Sequence, residues 1–422
     1  MTAQHRDYKT YNEATLPGYL VGLPAVVQRL GGEPGHWRIR EVGDGNLNLV
    51  FLVHGPAGGV AVKQALPYVR LVGESWPLPL SRIHYEYLAL TEQARHVPGR
   101  VPEVYHHDES LALLVMELLE PHIILRRGMI QAIRYPCLVG HISEFLARTW
   151  FFTSDLFLGA ADKKAGIARF IGNTAMARIS EDLIFTEPYY PAPNNRWTSP
   201  QLDDETRRVR GDRELKIAVS ELKLAFMGNA QALIHGDLHT GSIMVCDGDT
   251  RVIDPEFAGY GPMGFDLGAV LANLLLNYFS QDGHAGPGDS REDYQEWVLA
   301  QVVAVWQGVA WRLRRLWNEQ HRGDAYPAAL FGDDPLAREA AQTRFLAALF
   351  ADALGFTGAK MIRRLLGLAH NIDLEWIEDP DRRASCERRG LRLGRELMVQ
   401  RQRLGSIHEV AAAARELRRR VG

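Results

Sequence analysis

The chain has 422 residues, too many for one ordinary domain and enough for two, and its 46% apolar and 23% charged residues are globular proportions. A formal net charge of −3 gives no reason to expect nucleic acid or an acidic membrane as a partner. The three cysteines, Cys137, Cys246 and Cys386, are far apart and share no CxxC spacing, which argues against a disulfide framework or zinc site and for a reducing cytoplasm. The N-terminal MTAQHRDYKTYNE is polar, with no signal-peptide run, and the apolar stretches near Leu111–Leu119 and Ala269–Phe279 are too short to span a bilayer.

The chain reads as β-rich to about residue 117. Trp37–Val42, Asn48–His54 and Gly59–Gln64 are short runs bounded by Gly and Pro, as hairpins require. A helix is predicted over Arg82–Gln93, a buried strand over Ala112–Met116, and a stop at Pro121. From about residue 134 the pattern turns helical, as in the i, i+3, i+4, i+7 series Leu267, Val270, Leu271 and Leu274. Leu233–Ile253 interrupts it and reads as strand, loop and hairpin. The expectation is an α+β chain of two lobes, a small β-rich lobe (1–118) and a larger, mainly helical lobe (119–422), with a ligand cleft between them.

Four elements follow one another in an order that suits phosphoryl transfer. Gly43-Asp44-Gly45-Asn46-Leu47-Asn48 is a turn whose glycines would let backbone N–H groups approach phosphate oxygens, although an ordinary hairpin turn uses the same residues. Lys63, in Val60-Ala61-Val62-Lys63, sits on an alternating strand that should aim its ammonium into the cleft, where it could hold ATP phosphates with Glu86 as ion-pair partner. His235-Gly236-Asp237-Leu238-His239-Thr240-Gly241-Ser242 follows an apolar strand and places a carboxylate on a tight polar loop, where it can orient an attacking hydroxyl. Asp254-Pro255-Glu256 begins 17 residues after Asp237 and offers two hard carboxylate ligands suited to Mg²⁺. His235 and His239 are four apart, but their place on a loop beside a carboxylate favours hydrogen bonding over zinc. Asp266 reads as a helix N-terminal carboxylate.

His235-Gly236-Asp237 followed by Ile253-Asp254 resembles the aminoglycoside and choline kinase superfamily, relatives of protein kinases. Two departures narrow the likeness to the methylthioribose kinase family: Asp254-Pro255-Glu256 in place of Asp-Phe-Gly, and Ser242 where the superfamily usually has a metal-binding Asn. The turn at 43–48 and the segment from Leu66 to Pro77 agree with that family. The resemblance implies a two-lobed protein-kinase-like fold, ATP and Mg²⁺, a small sugar substrate, a place in methionine salvage and a homodimer. It implies Asp237 as the substrate-orienting carboxylate, and Asp254, Pro255 and Glu256 at the Mg²⁺–ATP, with Glu256 replacing the missing Asn. Lys63 and Asn46 would contact the nucleotide, Glu117, Leu118 and Leu119 would form the adenine-reading hinge, and Asp266 would brace the catalytic loop. Trp76 would belong to a lid, although a proline-flanked tryptophan could equally be a structural plug. Arg363 and Arg364 would meet the sugar and the transferring phosphoryl group, whereas composition alone would make them a solvated face. The C-terminal Asp381–Gly422, with twelve Arg against five acidic residues, reads as a solvated helical face or a subunit contact. The competing expectations are a kinase for choline, an aminoglycoside or homoserine, and a nucleotide-binding scaffold without catalysis.

Overall fold

The computed structural model describes residues 8–43, 47–69 and 73–420. Helices α1 (Leu16–Leu20) and α2 (Pro24–Leu30) precede strands β1 (Arg38–Glu41), β2 (Asn48–His54), β3 (Gly59–Ala65), β4 (Tyr68–Val69) and β5 (Gly73–Pro77). Helix α3 (Arg82–His96), β6 (Val104–Asp108), β7 (Leu113–Glu117) and β8 (Ile123–Ile124) follow. The larger part continues through α4 (Leu125–Ile130), α5 (Leu138–Thr153), α6 (Ala160–Phe170), α7 (Thr174–Leu183), α8 (Asp203–Gly211) and α9 (Arg213–Gly228). Strands β9 (Ala232–Ile234), β10 (Ile243–Cys246), β11 (Asp249–Val252) and β12 (Gly259–Gly261) interrupt the helices. The chain ends with α10 (Gly264–His284), α11 (Glu292–Gln320), α12 (Ala328–Phe331), α13 (Pro335–Leu366), α14 (Ile372–Glu375), α15 (Pro380–Gln400) and α16 (Ile407–Arg420).

The first sheet is antiparallel throughout, in the order β1-β2-β3-β7-β6. Strand alternation gives it two different faces. Val60 and Val62 of β3, with Phe51, Val53, Leu113 and Val115, pack under Leu16, Leu20, Val26 and Leu30 of α1 and α2. Those two helices cap a stretch that the sequence suggested was β-rich. Strand β6 was likewise not anticipated, because its residues are all half-buried and do not alternate. The opposite face of β3 carries Ala61, Lys63 and Ala65 toward the rest of the molecule, and Ala61 and Ala65 join the large helical core.

That core is built around α10, whose residues from Gly264 to Gln281 are all buried. Helix α13 crosses it at close range. A Cβ on Gly264 would lie 2.8 Å from the Ala353 nitrogen, and one on Gly268 would lie 2.7 Å from the Phe356 Cβ. On its other side α13 meets α15, where a Cβ on Gly358 would stand 2.2 Å from the Gly394 carbonyl oxygen. By length and composition α13 could cross a membrane, but 78% of its apolar window is buried inside the protein, as expected for a core helix. Cys137, Cys246 and Cys386 are free thiols.

These contacts make two glycines respond oppositely to the same change. Gly358→Ala should destabilise the protein by about 1–3 kcal/mol, because neither backbone can yield easily. Gly140→Ala, in α5 with nothing within 4 Å of the new methyl, should be neutral or stabilise by up to about 1 kcal/mol. Denaturant unfolding of the two variants checks both.

Candidate active site

Lys63 on β3 is 6% exposed and Glu86 on α3 is 1% exposed, so neither charge can stand alone there. The Lys63 ammonium lies 2.6 Å from Glu86 Oε2 and also donates to Asp254 Oδ1. Burial pulls the Lys63 pKa down, but Asp254, Glu86 and Glu256 together hold it above its ordinary value. Burial pushes Glu86 up to about 8, with Lys63 opposing the rise and the acids at 254 and 256 adding to it.

Asp254 follows β11 in the left-handed region, at φ 67°, which an Asp tolerates better than most residues. Glu256 is buried. Its Oε2 accepts from Asn48 Nδ2 at 2.9 Å and faces Arg82 Nε at 3.4 Å. Burial, then Asp254, raises its pKa. Glu86, Asp254 and Glu256 each offer an oxygen within 4.8 Å of the others. Clustered hard oxygens that repel one another are a donor set for a divalent cation.

The second half of the site is the loop after β9. Asp266 of α10 accepts from the His235 and Gly236 backbone N–H groups at 2.7 and 3.0 Å. Gly236 sits at φ 87°, where a Cβ would lie 2.2 Å from the Phe257 carbonyl oxygen, so both conformation and space demand glycine. The Ile253 carbonyl can only accept, so His235 Nε2 donates to it at 2.9 Å and Nδ1 accepts from the Asp237 N–H at 3.3 Å. The Ser242 hydroxyl donates to the Asp237 carbonyl at 3.1 Å, and the Ile253 N–H donates to the Ser242 carbonyl at 3.0 Å. The loop bearing Asp237 is thereby stitched to the residue before Asp254.

Around the Asp237 carboxylate, Lys360 Nζ lies 3.3 Å from Oδ1 and Arg364 Nη2 lies 3.7 Å from Oδ2. His239 Nδ1 accepts from the Gly241 N–H at 2.9 Å, which leaves a hydrogen on Nε2, 3.4 Å from Asp237 Oδ2. Burial alone would raise the Asp237 pKa. Lys360, Arg364 and Arg363 hold it well below the carboxylate range. Burial and the arginines drive the His239 pKa down, so its imidazole is neutral. Burial, then Arg364, lowers Arg363 to about 9. The site thus joins an ionised, oriented carboxylate to an excess of positive charge. Such an arrangement can align a hydroxyl and stabilise negative charge that develops in a transition state.

The model of the phosphotransferase enzyme family matches residues 38–312. Methylthioribose kinase 2 of Oryza sativa subsp. japonica is 45% identical over 410 residues, which cover 96% of both chains. Methylthioribose kinase 1 of the same plant is 46% identical over 408 residues, 96% of this chain and 95% of its own. Methylthioribose kinase of Escherichia coli O45:K1 is 45% identical over 409 residues, covering 97% and 98% of the two chains. The chain belongs to the methylthioribose kinase family.

Membership in the methylthioribose kinase family makes the placement of each anticipated residue informative. Lys63, Glu86, Asp254 and Glu256 come together in one cluster, and Asp237, Arg363 and Arg364 in another. Pro255 lies between the two acids and is buried. Arg363 and Arg364 reach the Ala369 carbonyl at 3.2 and 3.5 Å, and Arg364 is buried rather than solvated. The Glu117 carboxylate is occupied by Arg251 at 3.0 Å and the Glu103 N–H at 3.1 Å, and its own N–H donates to the Glu103 carbonyl at 2.8 Å; Leu118, half-buried, and Leu119, buried, follow β7. Trp76 is half-buried on β5, and among the described residues no hydrogen bond or ring pair joins it to Asp237 or the arginines. Asn46 lies outside the described residues.

Three site residues escaped the sequence reading. Asn48 holds Glu256. Arg82 donates to the Leu66, Pro79 and Leu47 carbonyls and to Asn48 Oδ1, besides facing Glu256. Lys360 was legible only as the start of an i, i+3, i+4 series with Arg363 and Arg364.

Because Asn48 steadies a carboxylate of the proposed donor set, Asn48→Ala should weaken divalent-cation binding about 10-fold. Glu256→Gln should weaken it further. Mn²⁺ titration followed by electron paramagnetic resonance checks the order.

Proposed function

We propose that the chain transfers the γ-phosphoryl group of ATP to the 1-hydroxyl of S-methyl-5-thio-D-ribose, giving the sugar 1-phosphate and ADP, as a step of methionine salvage. The observation that carries the reading is the juxtaposition of an ionised Asp237 with Lys360, Arg363 and Arg364. The names of its relatives supply the substrate.

Asp237 orients the anomeric hydroxyl for in-line attack and accepts its proton as the new P–O bond forms and the γ-phosphorus–ADP oxygen bond breaks. Lys63, held by Glu86, contacts the α- and β-phosphates. Asp254 and Glu256 would hold Mg²⁺, which when bound would neutralise charge on the phosphate oxygens. Arg363 and Arg364 offset the charge of the transferring group. The buried Ser242 hydroxyl donates to the Asp237 carbonyl; by resemblance, Glu256 takes the place of the superfamily's Asn. Trp76 and Asn46 are assigned to the lid and the phosphate turn by resemblance, as are the adenine hinge at Glu117, Leu118 and Leu119 and the homodimer; the cytoplasmic location rests on the three scattered cysteines.

The cationic surroundings of Asp237 disfavour choline or an aminoglycoside, whose positive charge would meet three cations. Asp237→Ala should lower turnover about 10²–10⁴-fold while nucleotide binding persists. A coupled ADP-release assay with methylthioribose, ribose and choline tests the reading. Wild-type turnover of choline alone, or turnover that survives at Asp237→Ala, would sink it.

A further inference from the structure

We infer that Lys360 is a positioning residue for the transfer: its ammonium fixes Oδ1 of Asp237 so that the carboxylate meets the acceptor hydroxyl in a preset orientation. The inference rests on the reading of Asp237 as the substrate-orienting group.

Lys360 is 3% exposed and lies on α13 between Ala359 and Met361, both at 0%. An apolar side chain would satisfy that environment at far lower cost than an ammonium, so the charge needs a specific reason. Its hydrogen-bonded acid is Asp237, at 3.3 Å. The nearby Asp266 already accepts two backbone N–H groups, from His235 and Gly236. The Phe265 ring of α10 closes the remaining side, with its centroid 4.0 Å from Nζ.

On the opposite edge of the carboxylate, Oδ2 faces His239 Nε2 at 3.4 Å and Arg364 at 3.7 Å. Rotation of the Asp237 side chain would therefore break contacts on both oxygens at once. A carboxylate pinned in this way loses little orientational freedom when the sugar binds.

The groups facing Lys360 are Asp237 from the catalytic loop, Asp266 and Phe265 from α10, and Arg363 and Arg364 from its own helix. Burial pulls its pKa down to about 8; Asp237 and Asp266 resist, and the two arginines reinforce the fall. As pH rises through that value Lys360 gives up its proton and the ion pair with Asp237 is lost. Activity should therefore fall on the alkaline side. An arginine at this position, with its higher ordinary pKa, keeps its charge to higher pH.

The test is the pH profile of kcat for wild type, Lys360→Met and Lys360→Arg, with Mg²⁺–ATP and methylthioribose. Lys360→Met should lower kcat about 10–100-fold, with KM for ATP unchanged. Lys360→Arg should recover part of the loss and move the alkaline limb upward. Wild-type kcat in Lys360→Met with the limb in place overturns the inference. If thermal unfolding shows Lys360→Met to be unfolded, the Lys360→Arg profile decides, and an unshifted limb overturns the inference. Turnover retained by Asp237→Ala would instead remove the reading beneath it.

Discussion

Mutual repulsion among Glu86, Asp254 and Glu256, confined within 4.8 Å, is the constraint around which the small sheet and the large helical part are joined. The acids come from two distant stretches of chain: Glu86 from α3, and Asp254 and Glu256 from the segment that follows β11. Lys63 from β3 and Arg82 from α3 offset the charge. Because Glu86, Glu256, Lys63 and Arg82 are buried, with Asp254 partly exposed, their attraction is stronger than the same pairs would have at the surface. Removing either cation would leave buried acids uncompensated, a far greater penalty than losing a surface ion pair. The cluster therefore ties the structure together, and the same acids have the hard oxygens that a divalent cation would take.

Arg82 shows how closely those two roles are merged. It is fully buried and touches the end of the turn at Leu47, the carbonyls at Leu66 and Pro79, and Glu256. One guanidinium thus ties together Leu47 before β2, the approaches to the β4–β5 ribbon and an acid from the helical part. A lysine could not reproduce this, because a point charge lacks the planar fork that reaches several acceptors in different directions.

The second cluster is positioned by absences of side chain. Gly264, Gly268, Gly358 and Gly394 let α10, α13 and α15 approach at backbone distance. That approach brings Lys360, Arg363 and Arg364 from a core helix to a carboxylate on the loop after β9. Charged residues on such a helix would be costly anywhere else along its buried length. Here the cost is met by Asp237, the Ala369 carbonyl and the Phe265 ring.

Much of this was legible in residue order. The alternation of Val60-Ala61-Val62-Lys63 aimed Lys63 inward, because strand side chains alternate by geometry alone. The loop from His235 to Ser242 and the pair Asp254 and Glu256 announced themselves by residue type and close spacing. Asp266 was legible from its position only as a helix N-terminal carboxylate; the brace was implied by resemblance, and its hydrogen bonds to His235 and Gly236 span 31 and 30 residues. Local periodicity and short-range hydrogen bonding carry such information within a few residues. Long-range pairing does not leave that trace. Asn48 and Glu256 are 208 residues apart, and Lys360 and Asp237 are 123 apart. An asparagine at the start of a strand and a lysine within a long apolar helix look ordinary until packing brings their partners to them. The N-terminal helices over the sheet were hidden for the same reason: their apolar faces acquire meaning only against Val60 and Val62. Residue order settled which groups could do the chemistry, and tertiary packing settled which of them share a dry space, because burial and the distances between charges are properties of the folded chain alone.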